Sequence, residues 1–217
     1  IYLNSKANEV EKETIDALFA KVYGEGYLVR LVTEQDPFKY VAGIITWDDY
    51  ADSTWYNAEK SSFVLDTAGE LAGLAQLVNS GTDFKDKTIA LDADLDADID
   101  LQNIEWIPIG TQANPFRGSF DGNSKTVSNL SITNYTESKA GLFGYVAAGS
   151  TLKNLIIDKA IVEAKGFTGA LVGDCRDSRI ENVHVEDASV RGYGNYIGGI
   201  VGYTYANISH CSVEDSS

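Results

Sequence analysis

From Val127 onward the apolar and polar positions fall into blocks that align with one another. "LKNLIID" at 152–158, "IENVHVE" at 180–186 and "ISHCSVE" at 208–214 begin at evenly spaced positions, and "VSNLSIT" at 127–133 precedes the first by a slightly shorter step. Aligned, they give three apolar columns: Val127/Leu152/Ile180/Ile208, Leu130/Leu155/Val183/Cys211 and Ile132/Ile157/Val185/Val213. The last two columns stand two residues apart, which is strand alternation. The first two stand three apart, so the backbone bends between them. The residue at the bend is Asn129, Asn154, Asn182 and then His210. Asn and His tolerate the left-handed backbone better than most side chains. Stacked Asn side chains also form hydrogen-bonded ladders. These four positions are therefore read as a structural ladder, with His210 capping it.

Between the blocks lies a second signature: "GLFG" ending at Gly144, "ALVG" at Gly173 and "GIVG" at Gly202, again evenly spaced. Its glycines mark a second corner. "AIVEA" at 160–164 and "ASVRG" at 188–192 add one more short strand per unit. Such a unit cannot bury its own apolar face, but stacked units can. The pattern predicts a mainly β chain: a right-handed parallel β-helix with three short strands per coil of about 28 residues. A propeller blade needs a longer repeat, of roughly 40 residues.

Ahead of the repeats, "EVEKETIDALFAKVY" at 9–23 has helical spacing, with Asn8 as a cap and Gly24 and Gly26 as its stop. "YLVRLV" and "YVAGIITW" read as strands. "DTAGELAGLAQLVNSG" predicts a helix near 67–80, capped by Asp66 or Thr67 and stopped by Gly81. Placed just before the coils, it suits a lid over the first strand edge. Two parts follow: residues 1–54, a helix-plus-strands segment of unassigned role, and residues 55–217, the β-helix with its capping helix.

"LDADLDADIDL" at 91–101 puts aspartate at every even position and an apolar residue at every odd one. As a straight strand it has one acidic and one apolar face, and reads as the entry strand to the β-helix. Alternate carboxylates are then about 6.7 Å apart, too far for neighbours to chelate one calcium. If the strand bends, Asp98 or Asp100 can join Asp121 of "FDGN" around a cation, the one metal set the sequence offers. Asp158, Glu186 and Glu214 form a second acidic column, on rungs about 4.8 Å apart. Two carboxylates at roughly 5–5.5 Å suit a retaining glycosidase. Like repeat positions give like environments, however, whereas catalysis needs the two pKa values split. No catalytic set is therefore assigned. Phe167, Tyr193, Tyr196 and Tyr203 cluster around "GYGNYIGG" as an aromatic strip suited to a sugar, or simply as corner packing.

The formal charge of −15 sets the surface against nucleic-acid phosphates and anionic membranes. No apolar run approaches the ~18 residues of a membrane span. Cys175 and Cys211, the two cysteines, show no metal spacing.

"GLFG", "ALVG" and "GIVG", each followed by an Ile-x-Asn-type strand, resemble the GLUG-motif repeats of bacterial secreted and cell-surface proteins. "EWIPIG" and "PFRGSFDGN" resemble the stretch that often precedes such repeats, so the resemblance spans roughly residues 55 to 217. It implies a non-catalytic extracellular repeat module, secreted or at the cell surface, that is adhesin-like. Its partner would be a glycan or a surface protein, with no nucleic acid and no cofactor beyond the candidate calcium. The competing readings are a polysaccharide lyase or hydrolase on the same scaffold, and a structural stalk.

Overall fold

A computed structural model describes residues 46–95, 98–133 and 138–217 in full and, before them, the backbone of two strands. The expected helix at 9–23 lies outside the described residues. The chain divides into two compact units, residues 1–46 and 47–217. In the first, β1 (Tyr27–Thr33) and β2 (Asp36–Ile44) form an antiparallel hairpin, with Tyr27 opposite Ile44 and an irregularity between Leu31 and Thr33.

The second unit is a parallel β-solenoid of about five turns with one helix. Its opening elements are a 3-10 turn (Trp47–Tyr50), β3 (Ser62–Leu65), α1 (Ala68–Asn79), β4 (Thr88–Leu91) and β5 (Ile99–Asp100). The next coil carries β6 (Ser119–Ser128), β7 (Ser131–Ile132), β8 (Lys139–Ala140) and β9 (Phe143–Val146). After it come β10 (Thr151–Asp158), β11 (Ile161–Ala164), β12 (Phe167–Thr168) and β13 (Val172–Cys175). The last strands are β14 (Arg179–Glu186), β15 (Ser189–Gly192), β16 (Val201–Thr204), β17 (Asn207–Ser209) and β18 (Ser212–Glu214). The long sheet runs β3-β4-β6-β10-β14-β17, while β7-β11-β15, β8-β12 and β9-β13-β16 make the other sides. The short pair β8–β12 sits at the corner just before the "GLFG" glycines, so a regular coil shows a short fourth strand segment beside the three expected.

The even register of the later coils holds. Leu152 pairs with Ile180, Leu155 with Val183 and Ile157 with Val185, while Ile180 pairs with Ile208 and Val185 with Val213. The shorter step ahead of them does not. Leu152 lies opposite Phe120, and Ile157 opposite Val127. Between Asp121 and Lys125, β6 carries Gly122, Asn123 and Ser124 where β10 has only Asn154, and the register shifts there. "VSNLSIT" is thus displaced along the strand. Asn129 falls at the corner shared with Lys159, Asp187 and Asp215, all left-handed at φ 45–55°. The bend column of Asn154, Asn182 and His210 (φ 53°, 52° and 55°) continues instead into Asn123 (φ 48°).

The glycines closing "GLFG", "ALVG" and "GIVG" have ordinary backbone angles, so conformational freedom is not why they are needed. A Cβ on Gly144 would come 2.5 Å from the Gly110 carbonyl oxygen, one on Gly173 2.6 Å from the Ala140 nitrogen, and one on Gly202 2.4 Å from the Thr168 nitrogen. Backbone stacks on backbone at this corner, with no room for a side chain. Inside, Leu152, Leu155, Ile157, Ile180, Val183 and Val185 are buried. Burial also pushes the Cys175 thiol up to about 11. Cys175 and Cys211 are separate thiols.

"LDADLDADIDL" is not one strand. Leu91 ends β4, the chain turns at Ala93–Asp94, and pairing resumes at Ile99. The Asp92 carboxylate accepts the Asp94 N–H at 2.9 Å, an Asx turn that takes the chain out of the ladder. Leu91, Ile99 and Leu101 still point inward and are buried. The bulge of β6 holds this loop: Asn123 Nδ2 donates to the Leu91 carbonyl and Lys125 Nζ to that of Leu95.

α1 packs beside the chain that follows it: Asn79 Nδ2 donates to the Pro108 carbonyl at 3.0 Å and Asn79 Oδ1 accepts the Gly110 N–H at 2.9 Å. Thr67 Oγ1 caps the helix by accepting the Glu70 N–H at 3.1 Å, and Glu70 Oε2 reaches back to the Asp66 N–H at 2.8 Å, one residue before the cap. Its inward residues Leu71, Leu74 and Val78 are buried. Beside it, Tyr56 stacks on Phe63 with centroids 5.5 Å apart, and Trp55 meets Phe63 edge-on at 5.2 Å. At the other end the apolar columns open: Ile180 and Val185 are 0% exposed, Ile208 and Val213 44%.

Candidate ligand-binding face

On the side formed by β9, β13 and β16, parallel stacking aligns Tyr145, Asp174 and Tyr203 on successive rungs. Alternation turns these positions away from the core. Around Tyr203 the neighbouring rings close up. Phe167 stacks on it with centroids 5.1 Å apart and planes 20° apart. Tyr196 meets both rings edge-on at 4.9 Å, and Tyr205 meets Tyr203 edge-on at 5.4 Å. Such offset and edge-on arrangements are the favoured aromatic geometries. The Tyr203 hydroxyl donates to that of Tyr205 at 2.7 Å, and this bond raises its pKa.

A charged pair packs against two rings of the cluster, Tyr203 and Tyr205. Asp174 is 1% exposed, and its carboxylate accepts Arg176 Nε at 2.6 Å and Nη2 at 3.1 Å. The hydrogen bond to Asp174 holds the guanidinium firmly protonated. Its plane lies 4.6 Å from the Tyr203 centroid and 5.5 Å from that of Tyr205. Cation and rings attract through the ring quadrupole. On the other flank, Lys139 Nζ stands 5.5 Å from the Phe167 ring and 5.6 Å from Tyr145. Tyr196 and Tyr205 keep 44% and 62% of their surface in solvent. The result is a preorganised aromatic face with two cations at its margins.

Of the expected strip, the structure brings Phe167, Tyr196 and Tyr203 together. Tyr193 stands apart at 85% exposure, with no ring partner among the described residues. Tyr205, Tyr145, Asp174 and Lys139 are members that sequence reasoning missed. The even spacing of Tyr145, Asp174 and Tyr203, each two places after a "GLFG"-type core position, was the available signal for two of them.

The ladder is real over part of its expected length and gains other members. Asn182 Nδ2 donates to Asn154 Oδ1 at 3.0 Å, and Asn154 Nδ2 to Asp121 Oδ1 at 3.0 Å. His184, not His210, ends it: its Nε2 lies 3.1 Å from Asn182 Oδ1 and its Nδ1 2.8 Å from Ser212 Oγ. An amide oxygen can only accept, so this network assigns the imidazole proton to Nε2. His210 shares the left-handed bend but is exposed and has no side-chain hydrogen bond among the described residues. Asn129 donates at 2.8 Å to Asp100, at the other corner.

That pairing also separates the expected cation set. Asp100 lies beside Ser128 and Asp121 beside Ala90, so they sit at opposite ends of β6. Asp100 is engaged by Asn129 and the Gln102 N–H, and Asp121 by Asn154, the Asn123 N–H and Lys153 Nζ at 3.0 Å. Asp98 is exposed. Among the described residues no three His, Cys, Asp or Glu side chains converge as a metal site. The acidic column Asp158, Glu186 and Glu214 is in register as expected, with Asp158 paired to Lys159.

Comparison with known proteins bears on the same coils. The chain is 28% identical over 131 residues to a protein of Evansella cellulosilytica described as a Gly-rich membrane protein, covering 59% of this chain and 15% of that one. It is 43% identical over 146 residues to a halomucin of Haloquadratum walsbyi, covering 63% of this chain and 2% of the relative. The chain therefore spans a small part of either protein. No solved structure matches it. Among the described residues no helix is long and apolar enough to cross a membrane. The family model of the GLUG motif matches residues 193–217, which hold Tyr196, Tyr203 and Tyr205, so the last coil of this solenoid is a GLUG-motif repeat.

Proposed function

We propose that the chain is a non-catalytic extracellular β-solenoid module of a surface protein, and that it binds a glycan on the face of Phe167, Tyr196, Tyr203 and Tyr205. The observation that carries the reading is this face: four rings packed on one another, with the Asp174–Arg176 pair against Tyr203 and Tyr205 and two of the rings well exposed. Rigid rings offer contact area at little conformational cost, and the C–H faces of sugar rings are apolar patches that fit them. Similarity to a membrane protein and to a halomucin supports an extracellular setting. The even register of the later coils supports a repeat scaffold that holds such a face at a distance.

A glycan array followed by calorimetry tests it. The expected result is saturable, calcium-independent binding without turnover, weakened about tenfold or more by Tyr205→Ala or Tyr196→Ala. Each ring also packs edge-on against its neighbours, so either variant should cost about 0.5–1.5 kcal/mol of stability while the coils stay folded. If no glycan binds, the chain is a spacer. Polysaccharide cleavage abolished by Glu186→Gln would make it an enzyme working through the acidic column.

A further inference from the structure

Most cations of this acidic chain are already engaged. Lys153, Lys159, Arg176, Arg179 and Arg191 are in ion pairs. Lys125 reaches a carbonyl and Lys139 an amide oxygen. Lys60, Lys85, Arg117 and Lys165 differ: all are exposed, and none is in an ion pair among the described residues; of these, Lys85 and Arg117 come together. They nonetheless face one concavity of about 550 Å³, at the corner where each coil enters the long sheet.

Register explains their convergence. Thr88, Ser119 and Thr151 are stacked partners on successive rungs. The residues just before them therefore stack too: Lys85 to Lys87 on the first rung, Arg117 and Gly118 on the second, Ala148 and Gly149 on the third. Lys87 is turned inward, its Nζ donating to the Ala58 and Lys60 carbonyls. That leaves Lys85 and Arg117 as the exposed cationic residues of the lining. Asp86 is the one carboxylate among the lining residues, which stay net positive, while Asp83, whose Oδ1 accepts the Lys85 N–H at 2.9 Å, lies in an adjoining concavity that Arg117 also lines. On the third rung nothing fills the space: a Cβ on Gly149 would meet no atom within 4 Å. Thr88 and Ser119 are also among the lining residues.

We propose that this groove binds a compact acidic saccharide, one or two rings bearing a carboxylate. Arg117 would take the carboxylate in its planar fork, Lys85 would add charge, and the hydroxyls would face the sugar. Three arguments select this class. The volume lies within the range of about 300–1,000 Å³ typical of small-molecule sites. The lining is polar and cationic, which disfavours an apolar ligand. The net charge of −15 repels a dense polyanion such as nucleic acid, while one local carboxylate meets mainly these two cations. The groove shares no residue with the aromatic face, so the proposal stands without the glycan reading made there.

Calorimetry at low salt with digalacturonate, digalactose and inorganic sulfate tests it on the 217-residue chain. Digalacturonate should bind saturably and weaken about tenfold or more in Arg117→Ala and in Lys85→Ala, because a charge-assisted contact is lost. Digalactose should not bind here, and Tyr205→Ala should leave digalacturonate binding unchanged. Unaltered melting temperatures would show that the two exposed-site variants fold. The proposal is overturned if digalacturonate does not bind the wild type, if neither variant weakens it, or if digalactose or sulfate binds this groove equally well.

Discussion

Asp121 is the residue on which the ladder ends. Burial alone would raise its pKa, but hydrogen bonds from Asn154 and the Asn123 N–H, with the Lys153 ammonium, outweigh burial and hold the carboxyl below its ordinary value of 3.8. The unfolded chain therefore takes up the proton first on acidification. The stabilisation is fully present above pH 3.8 and is lost as pH falls through the lower folded value. Asp121→Asn should cost about 1–2 kcal/mol at pH 7. The gap to wild type should close as the pH falls below 3.8 in thermal melts. A gap that stays constant with pH would show that the charge on Asp121 does not anchor the column. The sequence showed a bend filled by Asn. It could not show that the column descends onto a carboxylate, because the bulge of Gly122, Asn123 and Ser124 in β6 breaks the repeat there.

At the scale of elements, the corner glycines govern stacking. A methyl on Gly173 would meet backbone at 2.6 and 2.8 Å, and backbone cannot turn aside as a side chain can. Gly173→Ala should therefore destabilise by about 1–3 kcal/mol in urea unfolding. Gly149 is the control. It is left-handed at φ 84° with open space around it, so Gly149→Asn, which tolerates that conformation, should fall within about 0.5 kcal/mol of wild type. The reverse ranking would mean that dihedral freedom, not close approach, selects glycine at these corners. "GLFG" announced a corner in the sequence. The reason for the last glycine of "ALVG", Gly173, lay in the preceding coil, at Lys139 and Ala140, where a linear reading does not look.

Over the whole molecule, protection should follow coil position. The middle coils have paired strands on both sides and sealed inward columns, whereas Ile208 and Val213 in the last coil are 44% exposed. In the 217-residue chain, amides of β16 to β18 should exchange with solvent well before those of β10 and β14, read by mass spectrometry. Uniform protection from Ser119 to Glu214 would instead mean that the solenoid opens as a single unit. Each coil contacts mainly its neighbours, so graded opening is the natural behaviour of a stacked array.

The sequence by itself determined the repeat, its even step, the parallel stacking and the resemblance to GLUG-motif repeats. All of these rest on periodicity, which survives in one dimension. Tertiary structure decided what depends on juxtaposition across rungs. It moved Asn129 to another corner, because one bulge in β6 resets the register; it turned the chain at Asp92–Asp94 through an Asx turn, and it parted Asp100 from Asp121 by pairing them at opposite ends of β6. It also seated Arg176 against Tyr203 and brought Lys85 to the same groove as Arg117. Residues a full coil apart become neighbours only when coils stack, and whether each pair meets is fixed by small insertions that composition does not record.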